Sequence, residues 1–253
     1  MYQKKDYIAV FDSGVGGISV LRELRKCLPN ERFLYYGDSV NAPYGTRTTE
    51  DVRRLTLEAA EKILCKPVKA LVVACNTATA AAIETLRQAY PDLIVIGIEP
   101  ALKLAVDRFP GKRIGVMATE VTLREEKFDA LLHRFNDIPA IAKISAPGLV
   151  ELVEAGKADS DEADALLSAI LSPYKGSIDV LVLGCTHYPF VKAAINRILG
   201  EDVVLLDGGE GTARETKRRL ALSDLLSDGP GEVTWESSSE HPNTELCKQL
   251  LSK

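Results

Sequence analysis

A chain of 253 residues, 46% hydrophobic and 26% charged, is long enough to bury a sizeable core, either as one large domain or as two small ones. Its net charge is −5, and its basic residues are scattered apart from Lys217, Arg218 and Arg219. That triplet reads as a solvated helix face and leaves no electrostatic footprint for nucleic acid. No apolar run is long enough to span a bilayer, and the charged residues before "YIAVF" do not build a secretory signal, so the expected location is the cytoplasm. Cys27, Cys65, Cys75, Cys185 and Cys247 form no CxxC pair and no Cys/His cluster at zinc-ligand spacing. This argues against a disulfide framework or a structural metal.

In chain order, the strand candidates are "YIAVF" (7–11), "FLYY" (33–36), "ALVVA" (70–74) and "LIVIGI" (93–98), then "RIGVM" (113–117), "AIAKI" (140–144), "VLVLG" (180–184) and "VVLL" (203–206). Helical patterns lie between them. Ile18, Leu21, Leu24 and Leu28 recur at intervals near 3.6, and Thr49, Glu50 and Asp51 open a second helix. Trp235 belongs to a last strand, and 236–243 reads as an irregular loop. Near-continuous apolar strands separated by helices predict an α/β fold with mainly parallel sheets covered on both faces.

The strands divide into two similar sets. "ALVVACNTA" aligns with "VLVLGCTHY", placing Cys75 against Cys185, and "IAVFDSGVGG" aligns with "IGVMATEVTL", placing Asp12 against Ala118 and Ser13 against Thr119. The expectation is two pseudo-symmetric domains, 1–98 with 208–253 and 99–207, with the active site in the cleft between them. In such sheets ligands gather at the carboxyl ends of strands. Each half offers a cysteine there, followed by Asn76 and Thr77 in one copy and by Thr186 and His187 in the other.

A single cysteine at a strand end is more often a packing residue, but matched placement in two copies favours function. "DSGVGG" (12–17) follows a strand and opens a helix. It lacks the spacing of a dinucleotide or phosphate loop and reads instead as a cradle for a small anion or a carboxylate. His187, two residues from Cys185, has a functional position, whereas His133 and His241 read as surface residues.

"DSGVGG" (12–17), "YGD" (36–38), "PYG" (43–45), "ACNTA" (74–78) and "GCTHYP" (184–189), in this order, closely resemble the motifs of the bacterial glutamate racemases of the aspartate/glutamate racemase family. The likeness runs from Ile8 to about Asp207. It departs at "LLDGGEG" and in "MATEVTLREEKF", which keeps Thr119 and Thr122. The resemblance implies interconversion of L- and D-glutamate that supplies D-glutamate for peptidoglycan, with no cofactor and no metal. It also allows a homodimer. It implies that Cys75 and Cys185 take and return the α-proton, Cys75 from D-glutamate and Cys185 from L-glutamate. Asp12 would assist Cys75, and His187 with Glu151 would assist Cys185. Substrate contacts would come from Asp12, Ser13, Pro43, Tyr44, Gly45, Asn76, Thr77, Thr119, Thr122, Thr186 and His187.

Inverting a stereocentre by proton exchange needs a base on one face and an acid on the other, with the roles exchanged for the reverse reaction. Thiols suit this work because their ordinary pKa, about 8.5, lies near working pH. An aspartate racemase would share both cysteines. A Cys-His hydrolase would use Cys185 and His187 but leave Cys75 without a role. A non-catalytic sensor of acidic amino acids would not need the duplicated thiol.

Overall fold

The computed structural model describes residues 2–98, 101–124 and 141–252; His133 and the first residue of the strand expected at 140–144 lie outside them. The first half runs β1 (Tyr7–Asp12), α1 (Ile18–Cys27), β2 (Arg32–Gly37), α2 (Thr49–Leu64), β3 (Val68–Val73), α3 (Asn76–Ala89) and β4 (Ile94–Gly97). The second continues with α4 (Leu102–Arg108), β5 (Ile114–Ala118), α5 (Glu120–Arg124), β6 (Ala142–Ser145), α6 (Leu149–Glu154), α7 (Asp161–Leu171), β7 (Val180–Leu183), α8 (Lys192–Leu199) and β8 (Val204–Asp207). The chain closes with α9 (Gly209–Leu222), β9 (Glu232–Ser237) and α10 (Thr244–Ser252).

Two sheets result, and every strand pair in them is parallel. One has the order β4-β3-β1-β2-β9 and the other β6-β5-β7-β8. Read from the opposite edge, the second is β8-β7-β5-β6, so its strands correspond one for one to β4-β3-β1-β2. The internal repeat seen in the sequence is thus a repeat of topology, and β9 is an added edge strand beside β2. In both sheets the strand order reverses between the first and third strands of the repeat, where open α/β sheets place their ligands.

The central strands have no exposed face because helices cover both sides. Ile8, Ala9, Val10, Val72 and Val73 are wholly buried, as are Val116, Leu181 and Val182. This explains why they read as continuous rather than alternating apolar runs. Helix α2 starts where Thr48 accepts a hydrogen bond from the Asp51 N–H at 3.1 Å, one residue before the start marked by Thr49, Glu50 and Asp51. One apolar cluster joins Val10 and Ile18 of the first sheet's layer to Met117, Leu181 and Leu183 of the second, so the two lobes share a packed interior. Among the described residues no helix is long and apolar enough to cross a membrane. His241 is exposed, as expected.

Candidate active site

The two cysteines occupy equivalent backbone positions. The N–H of Ala74, just before Cys75, donates to the Phe11 carbonyl of the neighbouring strand at 2.8 Å, and that of Gly184, just before Cys185, donates to the Met117 carbonyl at 2.7 Å. Each chain then leaves its sheet beside the end of the central strand, and both thiols line one cavity. Its walls also carry Ser13, Pro43, Tyr44, Gly45, Asn76, Thr77, Thr119, Val150, Thr186 and His187, and its volume is about 20 Å³. Most of the residues expected to contact substrate line this cavity. The exceptions are Asp12, Thr122 and Glu151 among the expected residues, and Val150, which was not anticipated.

Cys75 is the N-cap of α3, its sulfur accepting from the Ala78 N–H at 3.4 Å, and it lies 3.8 Å from Ser13 Oγ. Burial pushes its thiol up to about 12, and the nearby Asp12 carboxylate adds to the rise, so the helix N-terminus does not prevail. Asp12 is wholly buried and is not among the residues that line the cavity. Its Oδ1 accepts from the Gly14 N–H at 3.0 Å and its Oδ2 from the Thr186 hydroxyl at 3.0 Å, which hold it behind the turn. Burial raises the pKa of Asp12 above the usual carboxylate range.

Cys185 lies 3.6 Å from Nδ1 of His187, and Nε2 of His187 lies 2.6 Å from Oε1 of Glu154. Burial opposes charge on this imidazole, but its hydrogen bonds to Cys185 and Glu154 outweigh burial and hold its pKa well above the ordinary histidine value. Burial likewise acts against the Glu154 carboxylate; the bond and charge of His187 and the Val15 N–H overcome it, and the pKa falls. A raised pKa favours the protonated ring, the form that can donate to both Cys185 and Glu154.

Glu154 corrects the sequence expectation, which gave this position to Glu151. Glu151 is exposed on α6, whereas Glu154 follows Val150 by four residues and shares the face that Val150 turns to the cavity. That i, i+4 relation is the signal that distinguishes the two glutamates.

Thr77, Thr119 and Thr122 bring their hydroxyls together at 3.1–3.4 Å, with Thr77 from one lobe and the other two from the second. Thr122 thus stands behind the cavity wall rather than in it. Tyr44 and Gly45 are held by a buried bond from the Tyr44 hydroxyl to Asp38 Oδ2 at 2.6 Å, with Asn41 donating to both Asp38 oxygens. Asp38 closes the "YGD" motif, whereas Asn41 was not singled out by the sequence. Asn76 Oδ1 is buried and has no protein partner among the described residues. Also among the described residues, no three His, Cys, Asp or Glu side chains gather as metal ligands.

Duplicated parallel sheets with matched thiols at their switch points, both lining one cavity, define a class of two-lobed α/β protein. Residues 16–216 match the family model described as Asp/Glu/hydantoin racemase. A glutamate racemase of Clostridium novyi (strain NT) is 50% identical over 244 residues, covering 95% of this chain and 94% of the relative. The crystal structure of the glutamate racemase isoform RacE1 from Bacillus anthracis superposes with a TM-score of 0.86 at 33% identity, covering 98% of this chain and 93% of that one. The Escherichia coli glutamate racemase, crystallised with L-glutamate and the activator UDP-MurNAc-Ala, gives 0.85 at 31% identity, covering 98% and 94%. The chain belongs to the aspartate/glutamate/hydantoin racemase family.

Proposed function

We propose that the protein interconverts L- and D-glutamate by taking the α-proton with one thiolate and returning a proton from the other thiol on the opposite face. The observation that carries this reading is that Cys75 and Cys185, from equivalent positions in two duplicated lobes, line one cavity. The names of the similar proteins support glutamate as the substrate over aspartate. The lobes are assigned as 1–98 with 208–253 and 99–207, in keeping with the strands each sheet contains. The reaction is assigned to the cytoplasm, where it supplies D-glutamate for peptidoglycan.

Cys75 is a thiol near neutral pH, since its pKa is about 12. Cys185 lies 3.6 Å from Nδ1 of His187. The enantiomer whose α-hydrogen points at Cys185 is assigned as L-glutamate. Cys185 removes the proton, the bond electrons flow toward the α-carboxylate, and Cys75 delivers its proton to the other face of Cα. The reverse direction exchanges the two roles, and the coupled thiols titrate as a pair.

The threonine hydroxyls are the donors available to a carboxylate whose charge grows in the transition state. The unpaired Asn76 Oδ1 is an acceptor available to the ammonium group. An amino-acid dicarboxylate does not fit a space of about 20 Å³, so the lobes must part to admit it.

The test is incubation with either enantiomer in deuterated water. Deuterium is expected at Cα with the intact enzyme, whereas Cys75→Ala and Cys185→Ala should each abolish racemisation. Full racemisation by either single variant would refute the two-thiol reading, and a covalent acyl-enzyme on Cys185 would favour the hydrolase.

A further inference from the structure

The anion held by the "DSGVGG" turn belongs to the protein itself. The Val15 N–H, on the first lobe, donates at 2.7 Å to Oε1 of Glu154, on the second, and the same oxygen accepts from His187 Nε2 at 2.6 Å. The glycines of the turn make room for these side chains. A Cβ at Gly14 would stand 1.8 Å from Glu154 Oε1, and one at Gly16 would stand 2.4 Å from His187 Nδ1 and 2.5 Å from Thr186 Oγ1. Neither glycine has a positive φ, so close approach of the other lobe, rather than backbone freedom, requires them. Ser19, in the first turn of α1, donates to the carbonyls of Gly16 and Thr186, each at 2.9 Å, on the same boundary.

We propose that the turn of residues 14–16 is a receptor for the Glu154 carboxylate, so that closing the lobes completes the hydrogen-bond chain from Val15 through Glu154 and His187 to Cys185. Glu154 is then a positioning residue for the second thiol, and the first lobe's backbone is part of the device. This rests on the two-thiol reading.

The reasoning is electrostatic. A half-buried carboxylate is stabilised by each N–H it accepts, and an imidazolium is stabilised by the carboxylate it faces. When the lobes part to admit substrate, Val15 leaves Glu154 and the chain loses its first link. The groups facing it are His187 and Asp12 on one side and Tyr35 and Cys247 on the other, where Glu154 borders a separate cavity of about 190 Å³ that His241 also lines. Its hydrogen-bond donors among the described residues are the Val15 N–H and His187 Nε2. Closure over a substrate restores the chain at the moment the second thiol is needed.

Gly14→Ala tests the receptor from the first lobe, because its methyl evicts the Glu154 carboxylate without deleting it, and Glu154→Gln tests the charge while keeping the shape. Each should lower kcat/KM by about 10- to 100-fold, less than the full loss of a proton-transfer group because the effect is indirect. L- and D-glutamate are equal in energy, so kcat/KM is tied in the two directions, and the deciding readout is the primary isotope effect with each Cα-deuterated enantiomer. It should rise for the enantiomer whose proton goes to Cys185 and stay unchanged for the other, and Gly14→Ala/Glu154→Ala should be no worse than Glu154→Ala.

Wild-type kinetics in Gly14→Ala, or equal isotope changes in both directions, would overturn the proposal. If Gly14→Ala does not fold, the double variant should, because the clashing carboxylate is gone; failure of both would also overturn it. An active Cys185→Ala variant would refute the two-thiol reading itself, whereas an inactive one with symmetric isotope effects would remove only the Glu154 clasp.

Discussion

The hydroxyl of Thr186 donates to Oδ2 of Asp12 at 3.0 Å, joining the residue after one thiol to a wholly buried carboxylate on the other lobe. Among the described residues, Asp12 has no basic side chain as a hydrogen-bond partner. It is held by a backbone N–H and a hydroxyl, and its influence reaches Cys75 through charge rather than through contact. The site thus carries a buried negative charge beside a thiol that must itself become negative, a costly arrangement of the kind enzymes keep at functional positions.

Asp12→Asn should therefore raise stability to urea at pH 8. The folded pKa of Asp12 is raised, so the cost of ionising it is absent below the unfolded carboxyl pKa of about 3.9 and complete above the folded pKa. The stabilisation measured by urea unfolding should be largest at neutral and alkaline pH and should vanish toward pH 3. A variant that is less stable than wild type at pH 8 would mean that the carboxylate's two hydrogen bonds outweigh its desolvation.

Cys75 offers a second pH dependence. With its thiol pushed up to about 12, the thiolate fraction rises about tenfold for each unit of pH between 8 and 10. Iodoacetamide labelling of the Cys75 peptide, followed by mass spectrometry, should climb at that slope without levelling. A plateau near pH 9 would show that the N-cap position governs this thiol rather than its burial.

At the opposite, amino-terminal end of β3, Lys69 and Glu31 form an ion pair with both side chains buried and Nζ–Oε2 at 2.6 Å. Lys69 also donates to the carbonyls of Lys4 and Leu225, and Glu31 accepts from the Ser227 N–H at 2.9 Å, so the pair ties the chain's start and its return segment to the first sheet. Lys69→Met leaves a buried carboxylate without its cation and should cost about 3–5 kcal/mol in urea unfolding. Glu31→Gln/Lys69→Met should recover much of that loss, and kcat per folded molecule should change little, since the pair lies away from the thiols. Equal losses in the single and double variants would contradict this account.

The sequence by itself determined the strands, the repeat and the matched thiols. Each of these is a local pattern: an apolar run long enough to be buried on both faces, a helix start, or a cysteine at the point where such a run ends. The grouping of Tyr44 and Gly45 with Asn76 and Thr77 came from the resemblance of short motifs to a known family, and all four line one cavity. Only the tertiary structure decided which glutamate serves His187, why Asp12 turns away from the cavity, and what the glycines of the first turn accommodate. Those answers depend on contacts between Asp12 and Thr186, Val15 and Glu154, and Gly16 and His187, residues far apart in the chain. Periodicity fixes the element on which a residue lies, but a helix chooses the face it buries only when a partner surface arrives, and here that surface belongs to the other lobe.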